Sequence, residues 1–319
     1  MSLTAVQGDH VEHQGFRHEA FLYAGEYEFL QGTTAFIREG VEAGEPALVV
    51  VGADKIELLR EELGSDADDV MFADMREVGS NPARIIPAWH DFVGANGAER
   101  QVRGIGEPIG PDRGPAELIE CQRHESLLNL AFADASSFWL MCPYDVDALD
   151  PIVVDEALRT HPYVSSHGTR LDSPIYSGIE AAVAPFDVPL SEPVPPPKEF
   201  YFEAASLAAL RQYVALRADL AGLGTRRTDD LLLAVNEVAT NSLRHAKGRG
   251  IFRLWEENGM LVCDVRDDGT FDNPLAGRRR PYGGQEGGYG LWVANQICDL
   301  VQVRSIPGGT LVRLHMRRD

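Results

Sequence analysis

The chain of 319 residues is poor in cysteine and in basic charge, and it contains no long apolar run. Its four cysteines, Cys121, Cys142, Cys263 and Cys298, show no C-x-x-C spacing. That argues against a disulfide framework or a structural zinc and points to a reducing cytoplasm. No segment reaches the roughly 18 uncharged apolar residues of a membrane helix, so no membrane attachment is expected. The first residues lack a basic region ahead of an apolar core, so no secretory signal is read there. Lys and Arg number 29 against 49 Asp and Glu, a formal charge of -20. Most of such a surface repels a phosphate backbone, so no direct nucleic-acid partner is expected. A phosphate-binding G-x-x-x-x-G-K-S/T loop is also missing: after Phe21-Leu22-Tyr23 the chain runs AGEYEFLQGTT, with no lysine.

Proline, by contrast, is concentrated in one place. FDVPLSEPVPPPKEF, residues 186 to 200, separates two well-patterned regions and favours an extended spacer. The expected organisation is a first domain over 15–185, a linker over 186–198 and a second domain over 199–319. Before the linker, ALVVVG (47 to 52), VMFADM (70 to 75), QVRGIGE (101 to 107) and FWLMCPYD (138 to 145) read as strands. AFIREGVEAG, DKIELLREEL, PARIIPAWHDFVGAN and ELIECQRHESLLNLAFA lie before or between them and have helical spacing. This alternation predicts an α/β domain with a largely parallel sheet. After the linker, two helices precede a hairpin turning at Glu257-Asn258-Gly259. A Gly-rich loop, a helix and two strands turning at Pro307-Gly308-Gly309 complete an expected α+β sandwich.

The second region carries the chemistry. Glu237 and Asn241 stand at i, i+4 among Leu231, Leu232, Val235, Val238 and Leu243, so they share one helix face. A carboxylate and a carboxamide so placed can orient a hydroxyl and hold a hard cation. Asp267 ends a strand two residues before Gly269, and Asp268 between them is the competing acid. Gly287, Gly288 and Gly290 with Leu291 precede a helix, where glycine permits close approach and free N–H groups attract phosphate. Arg278-Arg279-Arg280 lies between these motifs and reads as a solvated basic loop.

As a set, these motifs resemble those of the gyrase, chaperone and histidine-kinase ATPase superfamily, the Bergerat fold, and within it the anti-sigma-factor serine/threonine kinases. The resemblance covers 199 to 317. It implies a two-layer α/β sandwich binding ATP, with Asn241 coordinating Mg²⁺ and Glu237 orienting or deprotonating the attacking hydroxyl. Asp267 would accept the adenine amino group beside Gly269. Gly288, Gly290 and Leu291 would form the second glycine box, and His245 is a further candidate on the Glu237 face. Residues 270 to 286 correspond to a lid over the phosphates. The family pattern D-x-G-x-G has Phe271 at its last position here, which bears on the shape of the adenine pocket.

The first region resembles the MEDS sensory domain, a recombinase-like α/β module. The features that carry this are RHEAFLY (17 to 23), GVEAGEPALVV (40 to 50), AELIECQRHESLLNLAF (116 to 132), MCPYD (141 to 145) and RTHPYV (159 to 164). His18, Glu107, Glu120, Cys121, His124, Cys142, Tyr144, Asp145 and His161 are polar residues that could converge. His18, Cys142 and His124 are the sensory candidates for a small-molecule signal.

Together the two resemblances imply a cytoplasmic regulator that phosphorylates Ser or Thr of a partner, a sigma factor or an anti-sigma-factor antagonist. Two alternatives stay open. One is a non-catalytic, nucleotide-gated partner-binding module. The other is a sensor histidine kinase using His124 in its H-E-S-L-L context, although neither 205–222 nor the linker contains a histidine. A homodimer is left open.

Overall fold

The computed structural model describes residues 15–97, 100–135, 137–179, 188–281 and 288–318. Gly287, the expected lid residues 282–286 and linker residues 186 and 187 lie outside that set. The first sheet is built from β1 (Gly15–Tyr23), β2 (Ala47–Val51), β3 (Val70–Asp74), β4 (Val102–Gly106) and β5 (Ser137–Asp145), with β6 (Tyr163–Ser166) and β7 (Thr169–Asp172) at one side. Its order is β3-β2-β4-β5-β1-β6-β7. Every described pairing is parallel except β6 with β7. The helices are α1 (Gly25–Glu42), α2 (Ala53–Leu63), α3 (Met75–Val78), α4 (Ile85–Asn96), α5 (Pro115–Ala131) and α6 (Pro151–Thr160).

Strand alternation explains the two cores, since successive side chains point to opposite faces. Phe21, Val49, Val51, Ile105, Trp139 and Met141 face α1 and α2, where Phe29, Phe36, Ile37 and Leu59 are buried. Ala20, Val50, Phe138, Leu140 and Cys142 face the other way, onto Trp89 of α4 and Leu127 and Leu128 of α5. Trp89 fits because β4 offers glycine beneath it: a Cβ on Gly104 or Gly106 would come within 2.9 Å of the indole.

The second sheet contains β8 (Glu199–Glu203), β9 (Arg249–Glu257), β10 (Met260–Asp267), β11 (Leu300–Ile306) and β12 (Gly309–Arg317). It is antiparallel in the order β11-β12-β10-β9-β8. Helices α7 (Leu207–Leu220), α8 (Thr225–His245) and α9 (Tyr289–Ile297) cover one face. Leu210 and Val214 of α7, Leu231, Val235 and Val238 of α8 and Ala294 of α9 meet Phe252, Leu254, Cys263, Val265 and Leu314 there. Across the opposite face, Asp264 is buried between Arg253 and Arg313. Glu192 of the proline-rich segment pairs with Arg253 at 2.7 Å and with Arg266 at 2.5 Å. The carbonyls of Val188 and Ser191 accept from Arg304 and Arg313, so residues 188 to 192 are tied to the sheet.

Both expected classes are present, an α/β parallel sheet and an α+β sandwich. Three features escape the sequence pattern. β1 is a central strand although it contains His18 and Glu19, which are both fully buried. The β6–β7 hairpin and the edge strand β8 are short and mostly exposed, so they show little alternation. Gly104→Ala should overpack Trp89, Leu140 and Phe138, costing about 1–3 kcal/mol, read as a lower denaturant midpoint at unchanged slope.

Candidate functional site

Helix α8 turns Leu231, Ala234, Val235, Val238, Ala239 and Ser242 into the core. Glu237 and Asn241 flank that stripe and are partly buried, whereas His245, the last residue of the helix, is exposed. The start of α9 comes directly against Asn241: a Cβ on Gly290 would lie 2.4 Å from the Asn241 amide nitrogen. Gly288, which caps α9, has φ +89°, a conformation that glycine adopts without strain. Backbone N–H groups at the opening of a helix are thereby presented beside a carboxamide, the arrangement an anionic phosphate with a hard cation requires. Leu291 packs on the core beneath.

Asp267 is held from two sides. The Ser242 hydroxyl donates to Oδ2 at 2.6 Å and the Gly269 N–H donates to Oδ1 at 2.8 Å. Gly269 is squeezed as well, since a Cβ there would lie 3.0 Å from the His245 carbonyl. Thr310 pairs with Asp267 across β12 and β10, and its hydroxyl donates to the Gly269 carbonyl at 2.9 Å. Ser242 and Thr310 therefore belong to the candidate site, and motif reading passed over both. Their signals were the i+1 position after Asn241 and the threonine closing the Gly308-Gly309 turn. Asp268 is occupied elsewhere, accepting from the Lys247 backbone at 2.9 Å and pairing with its ammonium at 3.2 Å. Phe271 packs against the second core and, with Val301 and Val303, borders a small gap at the seam between the two units.

The expected solvated basic loop is corrected at one position, Arg278. Leu275 enters the core of the first unit. Arg278 is only 6 % exposed and pairs with Glu120 of α5 at 3.0 Å. Burial brings its pKa down to about 10, partly offset by Glu120, so it stays charged at neutral pH. The other Glu120 oxygen accepts from Arg304 of β11 at 2.7 Å. Arg279 and Arg280 stay exposed, Arg279 donating to the Ala131 carbonyl at the end of α5 at 2.7 Å and Arg280 lying 3.4 Å from Asp91. The far end of α9 is held too: Arg84 and Asn81 donate to the Asn295 carbonyl at 2.9 and 3.1 Å, and Asn295 donates to the Gly277 carbonyl at 2.9 Å. A charge run reads as exposed from sequence because the compensating carboxylate stands more than a hundred residues away.

In the first unit the polar residues divide. Glu107 turns to the end of the parallel sheet, where Lys55 donates to it at 2.6 Å and Tyr23 at 2.7 Å. Burial raises its pKa and Lys55 opposes the rise. Cys121 is fully buried and burial lifts its thiol to about 12. His124 is 1 % exposed, and burial lowers its pKa to about 3. His18, Cys142 and His161 do converge, around Glu125, a residue the sequence did not single out. Among the described residues no helix is long and apolar enough to cross a membrane.

Glu120→Gln keeps the shape of the seam and removes the charge that compensates Arg278 and Arg304. Stranding buried charge costs about 3–5 kcal/mol. The expected result is a lower unfolding midpoint for the full chain and faster tryptic cutting after Arg278 and Arg279.

With this geometry in place, comparison with known families is specific. The family model for MEDS, the methanogen/methylotroph DcmR sensory domain, matches residues 17–162. The family model for the histidine kinase-like ATPase domain matches residues 200–316. No curated protein matches the chain. The chain thus joins a MEDS sensory domain to a histidine kinase-like ATPase domain.

Proposed function

We propose that the MEDS domain governs an ATP-dependent protein serine/threonine kinase, whose substrate is a separate protein of the sigma-factor regulatory class, an anti-sigma-factor antagonist. The single observation that carries the reading is the Glu237–Asn241 pair with the α9 N-terminus pressed against Asn241. The close approaches at Gly269 and Gly290 fit an adenine nucleotide with Mg²⁺. Asn241 would hold the ion, the α9 N-terminus the phosphates and Asp267 the adenine amino group. Glu237 would orient or deprotonate the acceptor hydroxyl, a general-base role. Mg²⁺, when bound, neutralises charge on the transferred phosphoryl group.

An acceptor on another protein is favoured because His124, the histidine in the H-E-S-L-L context, is buried. A phosphoacceptor imidazole must reach the γ-phosphate, and His124 is 1 % exposed within the first unit. Sensory control is supported by the seam. The first unit grips residues 275 to 279 and the C-terminal end of α9, the two segments that lie on either side of Gly288–Leu291 in the sequence.

Titration calorimetry on the full chain should show Mg²⁺-dependent ATP binding. Asp267→Asn should weaken it by about 1–3 kcal/mol, the cost of a mismatched buried hydrogen bond. Glu237→Ala should bind ATP normally and lose phosphate transfer to a Ser/Thr-bearing partner by about 10²–10⁴-fold. Partner capture that needs ATP but persists in Glu237→Ala, with no transfer by the parent chain, would establish the non-catalytic, nucleotide-gated module instead.

A further inference from the structure

Four side chains from four separate elements meet inside the MEDS domain. His18 lies on β1, Glu125 on α5, Cys142 on β5 and His161 at the end of α6. All are buried, and one ligand atom from each falls within 4.8 Å of every other. His18 Nε2 is 3.2 Å from Glu125 Oε2 and 3.3 Å from Cys142 Sγ. His161 Nε2 is 3.3 Å from the same Glu125 oxygen.

The outer hydrogen bonds decide which nitrogens carry protons. Asn129 donates its amide to the Thr160 carbonyl at 2.7 Å, which turns its oxygen toward His18. His18 Nδ1 faces that oxygen at 3.2 Å and must donate to it. His161 Nδ1 faces the Ala157 carbonyl at 2.8 Å and must donate as well. Neutral imidazoles then point both Nε2 lone pairs at the Glu125 carboxylate, which can only accept. His161 Nε2 and Glu125 Oε1 have no hydrogen-bond partner. Three acceptors facing one point need a positive charge between them. A proton joins only two of these atoms, whereas a metal ion can be ligated by all four, which lie within 4.8 Å of one another.

We propose that His18, Glu125, Cys142 and His161 bind a divalent transition-metal ion, Zn²⁺ fitting the donor set best. Tetrahedral bonds of about 2.0–2.3 Å place ligand atoms about 3.3–3.7 Å apart, close to three of the separations observed. The widest pair would be drawn in by about 1 Å. Two imidazoles, a thiolate and a carboxylate suit a borderline-soft ion. Asn129 and the Ala157 carbonyl orient the rings from outside, as partners of metal-bound histidines do. Binding would release the Cys142 proton, since the thiolate is the ligand. Chain spacing hides the set, since its members lie on separate elements. Four protein ligands close the coordination sphere, so the ion would fasten α5 to β1, β5 and α6 rather than activate water.

The test needs no nucleotide and is independent of kinase activity. Full chain made without a metal-affinity tag in zinc-supplemented medium should carry about one equivalent of zinc by plasma mass spectrometry. Exchange with Co²⁺ should produce a thiolate-to-metal absorption band. Cys142→Ser should lose that band while keeping its far-ultraviolet circular dichroism, and His161→Gln should lower metal content. A folded parent chain with no stoichiometric metal and no band on Co²⁺ titration would overturn the proposal, leaving a proton shared between Glu125 and an imidazole. An unchanged band in Cys142→Ser would overturn it equally.

Discussion

Glu120 is one carboxylate serving two guanidiniums, and the arrangement of the two domains depends on it. Its oxygens meet Arg278 of the expected lid and Arg304 of β11, and all three side chains are buried. Charges so placed are tolerated only when paired, because each has given up its hydration. The seam is thereby directional. Arg278 cannot leave for another dry position, and Glu120 cannot turn away without stranding both arginines. Asn81 and Arg84 complete the hold by satisfying carbonyls at the C-terminal end of α9, which a helix end otherwise leaves open.

Helix α5 is the element through which the rest connects. A helix buried on most sides is usually apolar all round, yet α5 buries Glu120, Arg123, His124, Glu125, Ser126 and Asn129. These polar groups are answered from two directions. Glu120 and Arg123 are met by the ATPase domain, while Glu125 and Asn129 are met by His18, His161 and Thr160. The helix is thus a wedge whose polarity makes sense only with both domains in place. Neither a solvated nor a lipid-facing position would suit it.

This explains which parts of the molecule were legible in sequence. The Glu237–Asn241 pair was readable because helical spacing and the following D-x-G and glycine motifs lie near one another in the chain. Strand β2 was readable because Ala47–Val51 is a short apolar run. Strand β1 was not, since His18 and Glu19 look like solvent residues until Asn129, Trp139 and Glu125 are seen to satisfy them. Arg278 was misjudged for the same reason. Thr310 and Glu125 were invisible because their roles arise from a strand register and a tertiary cluster, which local spacing does not encode.

The same seam sets the scale of any signal it could carry. Moving an equilibrium from 1:99 to 99:1 takes about 5.5 kcal/mol of differential binding, while uncoupling a buried ion pair costs about 3–5 kcal/mol. Glu120 lowers the second figure. If Arg278 leaves together with its loop, it regains water, and Glu120 keeps Arg304 at 2.7 Å. The departure also exposes Leu275, which is buried in the first core, so apolar surface opposes it by about 1.5–3 kcal/mol. Both costs are local, and both are borne on surfaces of the MEDS domain. A change that shifts α5 by a fraction of its width would therefore act on the loop directly, with no long chain of intermediates. Position, more than strength, makes this helix able to join the domains.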